Sequence, residues 1–189
     1  MANHIFHEGI EYVRVSDVLK PFTNFGHIDP AVLNAKAELG TKVHQIIADD
    51  ISGTFSYAED KCLPYLRSYE KWRSALQPVF VKSEERFFCD DRRITGQIDC
   101  VVDIGKKKML VDFKTSVSES PTWIMQAHLY HYLCKVNGIE LDNTMLFIKL
   151  DKYGNDPQVF QYKYDEKIEK KCTKACLDYW LSKIINPDK

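Results

Sequence analysis

Three side chains in one short stretch have the types and spacing for metal-assisted chemistry: Asp99, Asp112 and Lys114. They lie in Gly96–Lys114, Gly-Gln-Ile-Asp-Cys-Val-Val-Asp-Ile-Gly-Lys-Lys-Lys-Met-Leu-Val-Asp-Phe-Lys, which reads as two β-strands around a tight turn at Gly105-Lys106. On the first strand Ile98, Cys100, Val102 and Ile104 alternate with Gln97, Asp99, Val101 and Asp103, the period of a pleated strand. On the second, Met109, Val111 and Phe113 alternate with Leu110, Asp112 and Lys114. Glycine at the first central position suits a two-residue type II′ loop, which sets Ile104 opposite Lys107. Carried down the hairpin, that register sets Asp99 opposite Asp112 and Gln97 opposite Lys114. Opposed residues share a sheet face, and like charges there are destabilising unless something neutralises them. A divalent metal would do so, with Lys114 adding positive charge on the same face.

The neighbouring elements must bring further groups to this hairpin. Asp29 caps a helix whose first position is Pro30 and which continues to about Ile51, with Val32, Leu39, Val43, Ile46 and Ile47 on or near its buried side. Gly40 and His44 stand one turn apart on it. Residues 10–19 read as a short strand leading into a helical turn capped by Ser16. A polar helix is expected from about Glu59 to Leu76, carrying Lys61, Arg67, Lys71 and Arg73. Val79–Cys89 reads as a strand with Glu84 and Glu85 near its middle, and Asp90-Asp91-Arg92-Arg93 turns it into the hairpin, giving an antiparallel meander. Ser120-Pro121 opens a helix that ends at Asn137-Gly138, with Trp123, Gln126, Tyr130 and Leu133 or Cys134 along one face. Thr144–Leu150 and Val159–Tyr164 read as strands, and about 166–185 as an amphipathic C-terminal helix. The expected fold is a mixed-sheet α/β (α+β) domain, with the meander flanked by helices.

With 189 residues, 44% hydrophobic and 28% charged, the chain is expected to be one soluble domain spanning 1–189. Its core is expected over about 30–165, with 1–29 as an N-terminal extension. A formal net charge of −1 argues against an overall basic field, so any contact with phosphates must come from local patches. No apolar run approaches the ~20 residues of a membrane span, and the first residues lack the pattern of a secretion signal. The six cysteines, at 62, 89, 100, 134, 172 and 176, read as reduced core residues of a cytoplasmic protein. Cys172 and Cys176 lack the partners of a zinc site.

Taken together these pieces resemble the PD-(D/E)XK nuclease superfamily, in its RecB-like and phage-type exonuclease branch, with a restriction-endonuclease-like core. Gly40-Thr-Lys-Val-His44 looks like the helical Gly-x-x-x-His motif, Gly96-Gln-Ile-Asp99 the second motif, and Asp112-Phe-Lys114 the Asp-x-Lys third, with Asp where many relatives have Glu. Gln126-Ala-His-Leu-Tyr130 resembles the Gln-x-x-x-Tyr motif of the following helix.

The resemblance implies a DNA nuclease, most simply an exonuclease of recombination, repair or processing, acting on duplex ends or single strands. A structure- or sequence-specific endonuclease, and a non-catalytic nucleic-acid-binding module of the same fold, stay open as alternatives. It implies Mg²⁺ or Mn²⁺ held by Asp99, Asp112, the Phe113 carbonyl and His44. Lys114 would orient the attacking water and stabilise developing charge. Gln126 and Tyr130 would position Lys114 or the DNA, and Glu85 would add a supporting carboxylate. Local cations for DNA are Arg92, Arg93, Lys106, Lys107, Lys108 and the 61–73 helix, with Trp123 as a stacking surface for unpaired bases. The cysteine pattern of the iron–sulfur relatives is missing and no P-loop is present, so no cluster and no nucleotide cofactor are expected. A motor or recombination partner would be a separate chain. Some phage relatives form ring-shaped trimers, so a homo-oligomer also stays open.

Overall fold

The computed structural model describes residues 4–23, 26 and 28–185. In chain order the elements are β1 (Ile5–His7), β2 (Ile10–Arg14), α1 (Val15–Leu19), α2 (Pro30–Ser52), α3 (Leu63–Leu76), β3 (Val79–Cys89), β4 (Ile94–Ile104), β5 (Lys107–Lys114), α4 (Trp123–Val136), β6 (Thr144–Lys149), β7 (Gln158–Lys163) and α5 (Glu166–Ile185). The result is a mixed sheet with helices on both faces, the restriction-endonuclease-like arrangement. Among the described residues no helix is long and apolar enough to cross a membrane.

Helix α2 starts where the sequence places it: the Asp29 side chain accepts the Ala31 N–H at 2.7 Å, and Pro30 follows as the first helical residue. Three other boundaries move. Helix α3 begins at Leu63, because Glu59 closes a preceding turn and its carboxylate is gripped by Lys42 and Lys61. Helix α4 begins at Trp123, with Ser120 and Thr122 tied in the turn before it. At α1 the cap residue is Arg14, and Ser16 sits within the helix.

Strand β4 is the hub. From Ile94 to Asp103 it pairs with β3 on one edge, with a break at Asp99. On the other edge β5 pairs antiparallel with Cys100–Ile104, and β2 pairs parallel with Ile94 and Thr95. These two ladders leave Gly96–Asp99 between them, with the carboxyl ends of β2 and β5 facing this gap from opposite directions. Residues 5–19 are thus part of the sheet and of its core. Beyond β5 the sheet continues through a parallel β6 and an antiparallel β7.

Two apolar layers hold the sheet. On one face α2 and α3 bury Val43, Ile47, Tyr69 and Trp72 against Cys100, Val102, Val111, Phe113 and Ile148. On the other, α1, α4 and α5 bury Val18, Leu129, Leu133, Cys172 and Cys176 against Ile98, Val101, Leu110 and Phe147. Ile98 and Cys100 therefore face opposite layers, and the alternation expected along β4 slips by one residue at Asp99. All six cysteines are free thiols in this interior.

The helical layer also carries a pH-sensitive element. His131 on α4 stacks on Tyr164 with ring centroids 4.6 Å apart. Burial, with help from His128 and Lys135, pushes its imidazole down to about 4, and Glu169 at 4.0 Å is too distant to reverse this. Because the folded value lies below the unfolded one, the unfolded chain takes up the proton first. The stability is complete above about pH 6.5 and is lost as the pH falls towards 4. His131→Phe keeps the stack and removes the titration. Urea denaturation should show it losing roughly 2 kcal/mol less than wild type between pH 7.5 and about pH 4.5.

Candidate active site

The hairpin register is the expected one from Ile104–Lys107 to Cys100–Val111, around Gly105 at φ +64°. The ladder stops one pair short of Asp99 and Asp112. There the Asp99 carboxylate replaces a strand partner: its Oδ2 accepts the Phe113 N–H at 2.6 Å. The two aspartates still neighbour each other, but as strands part, and Gln97 turns to the other side of β4 instead of meeting Lys114. Its side chain accepts from Arg86 at 2.6 Å and donates to Glu84 at 2.5 Å.

Glu84 is the residue that sequence reading missed. It lies level with Asp99 between the pairs Ser83–Cys100 and Glu85–Ile98, and its φ is +50°. Holding a non-glycine residue there costs about 1–2 kcal/mol, and it breaks the strand's alternation at this level. The donor atoms of His44, Glu84 and Asp99 all lie within 4.8 Å of one another. Glu85, expected in the supporting role, instead pairs with Lys82 at 2.8 Å. No residue type marks a strand glutamate for a left-handed backbone, so only the general presence of two glutamates on β3 hinted at this.

His44 reaches the site from α2, its Nδ1 3.0 Å from Asp99 Oδ1. Burial pulls its imidazole down, but the Asp99 charge and hydrogen bond outweigh this and raise it to about 9. The same contact holds Asp99 below the usual carboxylate range despite its burial. Asp112, 2% exposed, goes the other way: burial and the charge of Asp99 raise it to about 6, against the pull of Lys114. Two carboxylates in one buried site cannot both ionise cheaply without a cation.

Lys114 closes the other side. Its Nζ is 2.6 Å from Asp112 Oδ2 and donates to Gln126 Oε1 at 2.9 Å, above the Phe147 ring at 4.9 Å. Gln126 Nε2 in turn donates to the Tyr130 hydroxyl at 2.9 Å. A line Asp112–Lys114–Gln126–Tyr130 thus runs from β5 to α4. Close approach explains Gly96, and at Gly40 the space is tight. A Cβ on Gly96 would lie 2.7 Å from Tyr130 Cε1, and one on Gly40 would lie 3.2 Å from Thr115 Oγ1.

The cations expected at the DNA fall elsewhere. Lys106–Lys108 cap the hairpin tip and Arg92-Arg93 the opposite turn, each on the order of 17–20 Å along the strand from Asp99. Arg93 lies over Trp180, its guanidinium carbon 5.1 Å from the ring centroid. On and beside α3, Lys61 pairs with Glu59, Lys71 with Asp156 and Arg73 with Asp50, so three of the four expected cations are already held by carboxylates, and Arg67 lies against Gly154. Trp123 is buried against Phe147 and Phe160 and offers no stacking surface. In their place, the gap beside β4 holds a cleft lined by Arg14, Ser16, Arg86, Gln97 and Tyr130. Its residues come from β2, α1, β3, β4 and α4, a juxtaposition that short-range patterns do not announce.

The PD-(D/E)XK nuclease superfamily model matches residues 6–184, and the chain belongs to that superfamily. No curated protein matches it. Among solved structures, an alkaline exonuclease (LHK-Exo) from Laribacter hongkongensis is 13% identical, with 92% of this chain and 89% of that one covered and a TM-score of 0.51. Its complex with dAMP gives a TM-score of 0.50 at the same identity and coverage. A phage-related exonuclease from Haemophilus somnus is 14% identical over 98% of both chains, with a TM-score of 0.49. The likeness to the alkaline exonuclease is one of fold. Superfamily membership makes the chain a nuclease of a kind that uses divalent metals, and His44, Glu84 and Asp99 are a donor set that fits one.

Proposed function

We propose that the chain is a deoxyribonuclease that hydrolyses DNA phosphodiester bonds with Mg²⁺ or Mn²⁺, as an exonuclease of recombination, repair or processing. The observation that carries this reading is the line from the Asp112–Lys114 ion pair through the hydrogen bonds of Lys114 to Gln126 and of Gln126 to Tyr130, set beside the His44–Glu84–Asp99 cluster. Asp99, Glu84 and His44 would hold the cation, with Asp112 and the Phe113 carbonyl completing its surroundings. Oxygen donors with one imidazole suit Mg²⁺ and Mn²⁺, the nitrogen favouring Mn²⁺. The cation, when bound, supplies Lewis-acid polarisation of the phosphate and an activated water at neutral pH.

The protein's own contribution centres on Lys114. An ammonium has three N–H donors. Asp112 and Gln126 fix its direction, leaving donor capacity for the attacking water or a phosphate oxygen that gains charge. Tyr130 fixes the Gln126 amide so that its oxygen faces Lys114. Arg86 lines the adjacent cleft and suits a backbone phosphate on that side, while Arg14 in the same cleft is held by Asp17 at 2.7 Å.

The exonuclease reading is supported by the fold shared with the alkaline exonuclease and by the Gln-x-x-x-Tyr helix. The test is purified protein with Mn²⁺ or Mg²⁺ on end-labelled linear duplex, single-stranded DNA and closed circular plasmid. Wild type should degrade the linear substrates and spare the circle, while Asp112→Ala and Lys114→Ala should each lose at least about 100-fold in rate. Undiminished cleavage by both variants would overturn the site, and digestion of the circle would replace exonuclease by endonuclease.

A further inference from the structure

Past Lys114, the carboxyl ends of β5 and β6 border a second cleft of about 150 Å³ whose lining includes Tyr65, Thr115, Lys149 and Lys152. Its place follows from the ladder. Lys149 is the register partner of Lys114 in the parallel β5–β6 pair, and the Leu150 N–H donates to the Lys114 carbonyl at 2.8 Å. Register partners on adjacent strands stand ~4.8 Å apart and share a face, so Lys149 is the next cation along from Lys114. The carboxyl ends of parallel strands are also where open α/β sheets hold ligands.

The charges in this cleft are unevenly committed. Lys149 Nζ donates only to a neutral acceptor, the Val117 carbonyl, at 2.9 Å, and Lys152 Nζ lies 4.8 Å from the Tyr153 ring centroid. Among the described residues neither ammonium is within ion-pair distance of a carboxylate. The two acidic residues here have other partners. Asp151 Oδ1 accepts the N–H groups of Tyr153 and Asn155 and the Asn155 amide, and Asp156 faces Lys71 at 3.6 Å. Asp151 keeps its charge while accepting these N–H groups and is attracted to Lys149, and Lys71 offsets Asp156, so the cleft carries one net positive charge, with the hydroxyls of Tyr65 and Thr115 beside it.

We propose that this cleft binds the phosphodiester next to the scissile one, with Lys149 and Lys152 as its cationic contacts. The inference rests on the nuclease reading above. A strand crossing the metal-ligand cluster would then have the Arg14–Arg86 cleft on one side and the Lys149–Lys152 cleft on the other.

Steady-state cleavage of single-stranded DNA between 50 and 200 mM KCl tests it, using wild type, Lys149→Gln, Lys152→Gln, the double variant and Lys149→Arg. The double variant should raise KM about tenfold while kcat falls far less. Losing one phosphate contact should make the dependence of log(kcat/KM) on log salt shallower by about 0.7. Lys149→Arg should restore both values, and millimolar inorganic phosphate should leave wild-type KM unchanged, which separates a strand phosphate from a free anion. A wild-type salt slope in the double variant overturns the proposal. So does a fall in kcat at unchanged slope, which would make Lys149 only the anchor of the 115–120 loop. If the wild-type protein itself cleaves no DNA, the nuclease reading fails first and takes this inference with it.

Discussion

Asp99→Asn should lower metal-dependent cleavage at least about 1,000-fold and abolish the thermal stabilisation that Mn²⁺ gives the wild-type protein. The Asp99 carboxylate ties α2 to β5 at the site. One oxygen meets His44 and the other takes the Phe113 N–H, which fixes the side chain where β4 and β5 part. Asparagine can still accept that N–H, so the fold keeps its hydrogen bond and the metal-free protein should change by no more than about 1 kcal/mol. What disappears is the charge that sits 3.0 Å from His44 and within 4.8 Å of a Glu84 carboxylate oxygen. A ligand present at 100 times its Kd stabilises the folded state by about 2.7 kcal/mol, on the order of 5–10 °C for a chain of this size. Wild type should show that shift on titration with Mn²⁺, and Asp99→Asn should not. A variant that keeps the full shift would mean that the cation is held elsewhere.

Glu84 makes a sharper contrast with Glu85 than any pattern in the sequence could. Two adjacent glutamates on a strand differ only in face, and face follows from alternation. Alternation fails at Glu84 because its backbone is left-handed there, and at the facing Asp99 because the ladder is interrupted. By contrast, Asp99, Asp112 and Lys114 were legible because a two-residue turn fixes a hairpin register over a short span. His44, Gln126 and Tyr130 were legible as motif residues one helical turn from a partner. Arg14 and Arg86 were not. Arg14 reaches the site through a two-residue parallel ladder between β2 and β4, joining segments about 80 residues apart in sequence. The misplaced cations fail for another reason: composition records charge but not whether a carboxylate already holds it, as at Lys61, Lys71 and Arg73. Trp123 similarly reads as a boundary aromatic until Phe160 of β7 covers it.

Gly96→Ala should destabilise the protein by about 1–3 kcal/mol and slow cleavage by at least about tenfold, although residue 96 carries no functional group. The added methyl would lie 2.7 Å from Tyr130 Cε1 and 2.9 Å from Leu133 Cδ1, closer than such atoms approach. Both neighbours are packed on α4, Leu133 fully and Tyr130 at 7% exposure, so neither has an empty direction in which to move. Relief must come from Tyr130 turning aside or from α4 lifting off β4. Either movement draws the Tyr130 hydroxyl from Gln126 and releases the amide that directs Lys114. Tyr130→Leu in the same background separates the two consequences. Removing the ring vacates the space the methyl needs, so the double variant should be destabilised by less than the sum of the two single changes, while cleavage stays low because Gln126 has lost its partner. Stabilities from urea denaturation and cleavage rates from all four proteins complete the cycle. Strict additivity in stability would show that residue 96 and Tyr130 do not compete for one space. Full activity in Gly96→Ala would show that Lys114 does not depend on the line through Gln126.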